Sequence, residues 1–281
     1  MYAIDLLPDR LQENENHVVS ILKKIDARSY DNAIKEAEAL ITVINSIKDS
    51  ASEEVELNAT YILTIFFKFL ISLSVYWRHI ESESYHESWC ALQDGIDYLR
   101  TLKRFYPHKK NKVVCFFEKQ LIKLETLYPY KLFSSPGFIV DRFECSICGY
   151  DIDSDLCPHM KGELYFGEIA YAVARDIKDI DHFAIVTNPT NKRLTIGCDN
   201  SHAQFNLFKD AVLHFNERKL SPLGFSNVEL YEFVRPDPEW VKLPRNSKCY
   251  CGSGKKYKKC CINNSGKKHV HVDFMGSHIF S

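Results

Sequence analysis

Tyr61-Ile-Leu-Thr-Ile-Phe-Phe-Lys68-Phe-Leu-Ile-Ser-Leu-Ser-Val-Tyr-Trp77 lies in the most apolar part of the chain. Its reading decides the fold, because such a run either crosses a bilayer or sits at the centre of a helical core. A spanning helix needs about 20 apolar residues, and a charge at its middle is costly. This run has seventeen residues, with Lys68 near the centre. It therefore reads as the buried helix of a bundle, and no membrane span is expected.

The flanks supply the partners such a helix needs. Upstream, Val18, Val19, Ile21, Leu22 and Ile25 form one apolar stripe. Ala33, Ala37, Leu40, Ile41, Ile44 and Ile47 form a second, at three- and four-residue spacing. Downstream, Trp89, Leu92, Ile96, Leu99 and Leu102 mark a fourth helix, and Val114, Phe117, Leu121, Leu124 and Leu127 a fifth. Ser29-Tyr30-Asp31, Asp49-Ser50 and Tyr106-Pro107 fall between the stripes, where turns belong. Short connections between long helices give antiparallel neighbours. Residues 1–135 are thus expected as an all-α, up-and-down helical bundle. A TPR-like solenoid is the variant of this reading, since Tyr30 and Ala33 open a helix in that style, but there is no clean repeat of about 34 residues.

Between Pro129 and Pro136 the helical pattern breaks. Phe183–Thr187 and Arg193–Gly197 are short β-type runs joined by Asn188-Pro189-Thr190-Asn191, and Asn227–Val234 alternates as a half-buried strand does. Helices are expected at Gly167–Ile177 and Ala203–Glu217. Residues 136–237 read as a small α+β domain. Pro236-Asp237-Pro238 reads as a stiff linker. The remaining segment, 238–281, is too short and polar for a core of its own and needs metal to fold. The fold class is α+β multidomain.

Bulk composition is that of a globular chain, with 45% hydrophobic and 26% charged residues and a formal net charge of −1. The charge is unevenly placed. Residues 1–60 carry twelve acidic and six basic side chains, whereas Trp240–Val272 has nine Lys or Arg and no Asp or Glu. A basic segment on a neutral protein points to an anionic partner for that segment. The opening Met1-Tyr2-Ala3-Ile4-Asp5 lacks the basic and apolar regions of a secretory signal. With seven of its ten cysteines in metal-type spacings, a reduced, cytoplasmic setting is expected rather than a disulfide framework.

Eight of the chain's ligand-type side chains fall into two clusters. In the first, Cys145-x-x-Cys148 turns two thiolates toward one ion. Cys157 and His159, two apart in an extended segment, emerge on one side. Three sulfurs and one nitrogen suit zinc at a closed structural site that staples the middle domain. Asp151-x-Asp153-x-Asp155 imitates a calcium loop but fails it, with Leu156 where Gly is needed and Gly162 where Glu is needed. In the second cluster, Cys249-Tyr-Cys251-Gly-Ser-Gly-Lys-Lys-Tyr-Lys-Lys-Cys260-Cys261 puts four thiols in thirteen residues.

This second run resembles the SEC-C motif, the small zinc module at the C-terminus of the bacterial translocase motor SecA, which also occurs as a tail on otherwise unrelated bacterial proteins. The resemblance covers about residues 245–262. It implies zinc ligands at Cys249, Cys251, Cys260 and Cys261, so that two structural zinc ions are expected in all. The rest of the chain has no Walker motif, and no ATPase function is implied. Gly252-Ser253-Gly254-Lys255 is not a phosphate loop either, because Cys249 stands five residues before Gly254. The first cluster, in its Cys-Pro-His-x-x-Gly-Glu-Leu-Tyr setting, is similar to bacterial proteins of unassigned function that also carry a SEC-C tail.

Lys255, Lys256, Lys258 and Lys259 fall on the outside of the second loop, with Lys242, Arg245, Lys248, Lys267 and Lys268 nearby. Four thiolates on one zinc leave about −2 at the metal, so some of this charge only balances the site. In the SEC-C family the module docks to the chaperone SecB and touches ribosomes and acidic lipids. The resemblance therefore implies an acidic protein or a nucleic-acid partner.

No H-E-x-x-H, G-x-S-x-G or dinucleotide loop is present. Both clusters offer four donors, whereas a catalytic zinc keeps one position open. A non-enzymatic, zinc-binding adaptor that docks a chaperone- or ribosome-type partner is the leading expectation. One rival is an enzyme, toxin or defence effector with its active site between bundle and middle domain. The other is a nucleic-acid binder that uses the tail lysines, with Tyr250 and Tyr257 for stacking.

Overall fold

The computed structural model describes residues 2–197, 199–236, 242–264 and 266–281. Five helices come first: α1 (Asn14–Asp26), α2 (Tyr30–Ser50), α3 (Glu54–Glu81), α4 (Tyr85–Phe105) and α5 (Lys112–Thr126). Each holds one of the predicted stripes, and consecutive helices pack on one another. α3 is the one described helix long and apolar enough to cross a membrane. Fifteen of its 28 residues are buried, whereas Lys68 is exposed. Its apolar surface is spent on neighbouring helices. Gly95 marks a close approach of α4 to α3, where an added Cβ would stand 3.1 Å from Ser72 Oγ. Asn111 starts α5 by accepting from the Val114 amide at 3.1 Å, and its own amide donates to Ala3 O at 2.8 Å, which ties the N-terminus to the bundle.

After α5 the chain forms a long antiparallel ribbon of β1 (Phe133–Cys145) and β4 (Ala172–Val186). The small hairpin β2 (Leu164–Tyr165) and β3 (Glu168–Ile169) lies between them in sequence. The helix expected at Gly167–Ile177 is not formed; that segment belongs to β3 and β4. Val186, Ile185, Ala184 and Phe183 instead pair with the start of β1. Arg193–Gly197 contributes one bridge, Thr195 to Phe133, rather than a strand.

The helix expected at Ala203–Glu217 forms as a short 3-10 turn leading into α6 (Asn206–Asn216). It packs on the helical bundle. Trp77 of α3 meets Phe215 edge-on at 5.4 Å and Phe225 at 6.1 Å. Gln120 of α5, fully buried, donates to the carbonyls of Pro222 (3.0 Å) and Phe225 (2.7 Å). Segment 203–226 therefore completes the bundle's core.

The chain forms two compact units, 1–227 with 276–281, and 228–275. The second contains β5 (Asn227–Pro236, its first residue in the other unit) and β6 (Gly266–Met275), paired as a two-stranded sheet, with the second cysteine cluster between them in sequence. Asp237 and Pro238 of the expected linker lie outside the described residues, as does Cys198. The last six residues return to the first unit. Ile279 is buried and its amide donates to Leu223 O (3.1 Å), and His278 meets Asp26 (3.1 Å). The 228–275 unit is thus an excursion from the first unit rather than a free tail. Its two chain crossings lie side by side: a Cβ on Gly276 would stand 2.3 Å from Ser226 Oγ.

Candidate metal centres

Four donors around a tetrahedral zinc, with Zn–S about 2.3 Å and Zn–N about 2.0–2.1 Å, stand about 3.8 Å apart sulfur to sulfur and about 3.6 Å sulfur to nitrogen. The first cluster has this geometry. Cys145 Sγ is 3.6 Å from His159 Nδ1, and Cys148 Sγ is 3.7 Å from Cys157 Sγ. All four donor atoms lie within 4.8 Å of one another.

The local sequence explains the arrangement. Cys145 ends β1, and its amide donates to Tyr150 O at 2.7 Å while Gly149 N returns to Cys145 O at 2.9 Å. Gly149 sits at φ +75°, a left-handed position that suits glycine. The turn folds Cys148 back over Cys145. Burial disfavours the Cys145 thiolate, but donors from the Cys148 and Ile147 backbone outweigh it and hold the thiol below its ordinary range. Asp151 accepts from the Asp153 amide in the intervening turn, at 3.0 Å. His159 stands edge-on to Tyr165 of β2 at 4.9 Å, and the Tyr165 hydroxyl accepts from Met160 N at 2.9 Å.

The β2–β3 hairpin fixes this half of the cluster to the bundle. Its turn, Phe166-Gly167, has φ +46° and +78°. Gly167 N donates to Asn58 Oδ1 of α3 at 2.8 Å, and an added Cβ there would stand 2.9 Å from Leu57 O. Arg104 of α4 pairs with Glu163 at 2.6 Å.

The second cluster lies in the 228–275 unit. Cys251 Sγ is 3.5 Å from Cys260 Sγ, and Cys260 Sγ is 3.7 Å from Cys261 Sγ. Cys249 completes the set and is buried. Cys249 N donates to Lys255 O (2.8 Å), Tyr257 N to Ser247 O (2.8 Å), and a one-turn 3-10 helix at Tyr257–Lys259 presents Cys260 and Cys261. Gly252 and Gly254 have φ +74° and +72° with open space around each, so their role is conformational. The thiols are unequal without a cation. The Ser253 hydroxyl and amide pull Cys251 down to about 6, whereas Cys249 and Cys260 push Cys261 up to about 12. Successive thiolates repel one another, and a divalent cation removes that penalty.

Residues 245–263 match the SEC-C motif. No curated protein and no solved structure matches the chain. The SEC-C motif thus accounts for the second cluster and its loop, while the bundle and the ribbon stand outside it.

Among the described residues, these two clusters are the groups of three or more His, Cys, Asp or Glu that are arranged to hold a metal. Every ligand residue expected from sequence falls in one of them. Lys255, Lys256, Lys258 and Lys259 are all exposed, and none has an ion pair among the described residues. The side chains of Lys267 and Lys268 lie outside the described set. Tyr257 is only 3% exposed, packed against Tyr250 at 6.0 Å, so it offers no face for a base to stack on. Tyr250 is committed to the Cys261 sulfur, an interaction that, after burial, raises its phenol to about 12. Charged side chains between the bundle and residues 136–197 are spent on one another: Arg193 with Asp94 and Asp97 (2.6 and 2.8 Å), and Lys192 with Glu125 (2.8 Å).

Proposed function

We propose that the protein is a zinc-stapled interaction protein of the cell interior whose SEC-C module docks to an acidic protein partner. Zinc at Cys145, Cys148, Cys157 and His159 would hold the ribbon's loop in shape. Zinc at Cys249, Cys251, Cys260 and Cys261 would fold the module. In both, four protein donors fill a tetrahedral ion, which gives structural rather than hydrolytic chemistry. The observation that carries the docking role is the set of four exposed lysines, without ion pairs among the described residues, in one short SEC-C loop. A cationic patch of that kind steers and selects anionic surfaces. The burial of Tyr257 and the engagement of Tyr250 favour an acidic protein over single-stranded nucleic acid, which recruits open aromatic faces.

The test compares native chain with a variant carrying Lys255→Glu, Lys256→Glu, Lys258→Glu and Lys259→Glu, both checked for zinc content. A second variant replaces 229–275 with a short linker between the adjacent crossings and so keeps 276–281. Affinity capture from the source cell should recover partners with the native chain, in a salt-sensitive manner, and lose them with both variants. If both variants keep every partner, the docking role is gone. A salt-dependent gel shift lost in the lysine variant would replace the protein partner by nucleic acid.

A further inference from the structure

Among the described residues, the β1–β4 ribbon carries an apolar face that its own compact unit leaves open. Residues directly opposite in an antiparallel pair point to the same side. Ser134 faces Ile185, Pro136 faces Phe183, Phe138 faces Ile180 and Val140 faces Ile177. Alternation along β1 puts all four rows on one face. On β4 the large members Ile177, Ile180 and Phe183 are three residues apart, a spacing that sends neighbours to opposite faces of a regular strand. The register shifts at Gly137/Phe138 and Ile139/Val140 each absorb one extra β4 residue. They restore the phase, and all three side chains emerge together. Bulges commonly serve to re-aim side chains in this way.

The face is large and uncovered. Phe138 is 49% exposed, Ile177 57%, Ile180 64%, Phe183 67% and Ile185 63%. At roughly 200 Å² for each full side chain, these five present about 600 Å² of apolar surface. Contiguous patches beyond a few hundred Å² mark interaction sites. A two-stranded ribbon left alone in water is also marginal in stability, yet these strands run for 13 and 15 residues.

We infer that this face closes on the same face of a second copy of the chain, making a two-fold sandwich of ribbons. Two such faces together remove about 1,200 Å² from water, which reaches the range of about 1,200–2,000 Å² for specific stable interfaces. A two-fold contact requires a patch that complements itself, and an apolar sheet face does so at the usual sheet spacing of about 10 Å. The charges at that end of the ribbon are already balanced within the chain. Arg142 and Arg175 stand opposite each other beyond Val140; each pairs with Glu144 at 2.8 Å, and Arg142 also reaches Asp176 at 3.8 Å. No uncompensated charge there selects an acidic or basic partner.

Sedimentation velocity of the full chain between about 1 and 100 µM tests this. The native chain is expected to run as a dimer, and Ile180→Asp with Phe183→Asp as a monomer, with association weakened by at least about 100-fold. Ile139→Asp, on the opposite face beside Asp179, is expected to leave the dimer intact. If the double aspartate variant loses its helical circular dichroism, Ile180→Ser with Phe183→Ser takes its place. A native chain that stays monomeric throughout, a dimer that survives the double change, or equal dissociation by Ile139→Asp overturns the inference.

Discussion

Replacing Cys148 with serine removes one donor from the first centre and leaves the second untouched. Structural zinc in small modules binds with roughly 10–16 kcal/mol, so one of four donors is worth about 3 kcal/mol, or about 100-fold in retention. The 3.7 Å edge between Cys148 and Cys157 is the length a zinc-bound pair needs, so the site has no slack to recruit a substitute. After dialysis against a chelator at neutral pH, elemental analysis should find about two zinc in the native chain, about one in Cys148→Ser, and about one in Cys251→Ser. Hydrogen exchange supplies the local reading. The amides of Gly149, Gly162 and Ala170 are bonded within the loop that the metal closes, and they should exchange faster in Cys148→Ser, while those of α3 keep their protection. Two zinc ions retained by Cys148→Ser, or one zinc in the native chain, would refute the four-donor assignment.

Gln120→Ala strands two buried carbonyls, those of Pro222 and Phe225; urea unfolding should show a loss of about 2–4 kcal/mol. Gly167→Ala places a Cβ at φ +78° and 2.9 Å from Leu57 O, which should cost about 2 kcal/mol and raise exchange in the β2–β3 hairpin. Glu36→Gln tests acid sensitivity. Burial works against the Glu36 carboxylate, but bonds from Lys24, Ser20 and His17 outweigh it and hold the carboxyl below its ordinary value of 4.5. A carboxyl that binds its proton less readily in the fold stabilises fully above that ordinary value and loses its contribution as pH falls through the folded one. The native chain should therefore lose stability between about pH 5 and 3 more steeply than Glu36→Gln, measured by denaturant midpoints at each pH.

The helices α1–α5 were legible because each buries one stripe at helical period, and the two candidate metal clusters because thiols at two- and three-residue spacing have few other uses. The misread segment has a definite cause. Ile169, Val173, Ile177 and Ile180 recur at three and four residues, the signature of a helix face. In β4 the four-residue step from Val173 to Ile177 keeps one strand face unaided, and the three-residue step from Ile177 to Ile180 is absorbed by the bulge at Ile139/Val140, which nothing in local composition announces. Arg193–Gly197 has strand-like residues but finds its partner only at Phe133, far away in sequence. α6 was readable as a helix, whereas its place against Trp77 was not, because an apolar stripe states that a face is buried and not against what. Tyr257 looked available in a basic loop, and only packing shows that its ring is buried beside Tyr250.

The adjacent crossings at Ser226 and Gly276 have a consequence for how the SEC-C region can be severed. A module appended to a chain end is shed by one proteolytic cut. Here a single nick anywhere in 229–275 leaves each fragment anchored through its own strand, one continuous with Leu223 and Phe225, the other with the buried Ile279. Shedding takes two cuts, and a singly nicked molecule migrates whole until it is denatured.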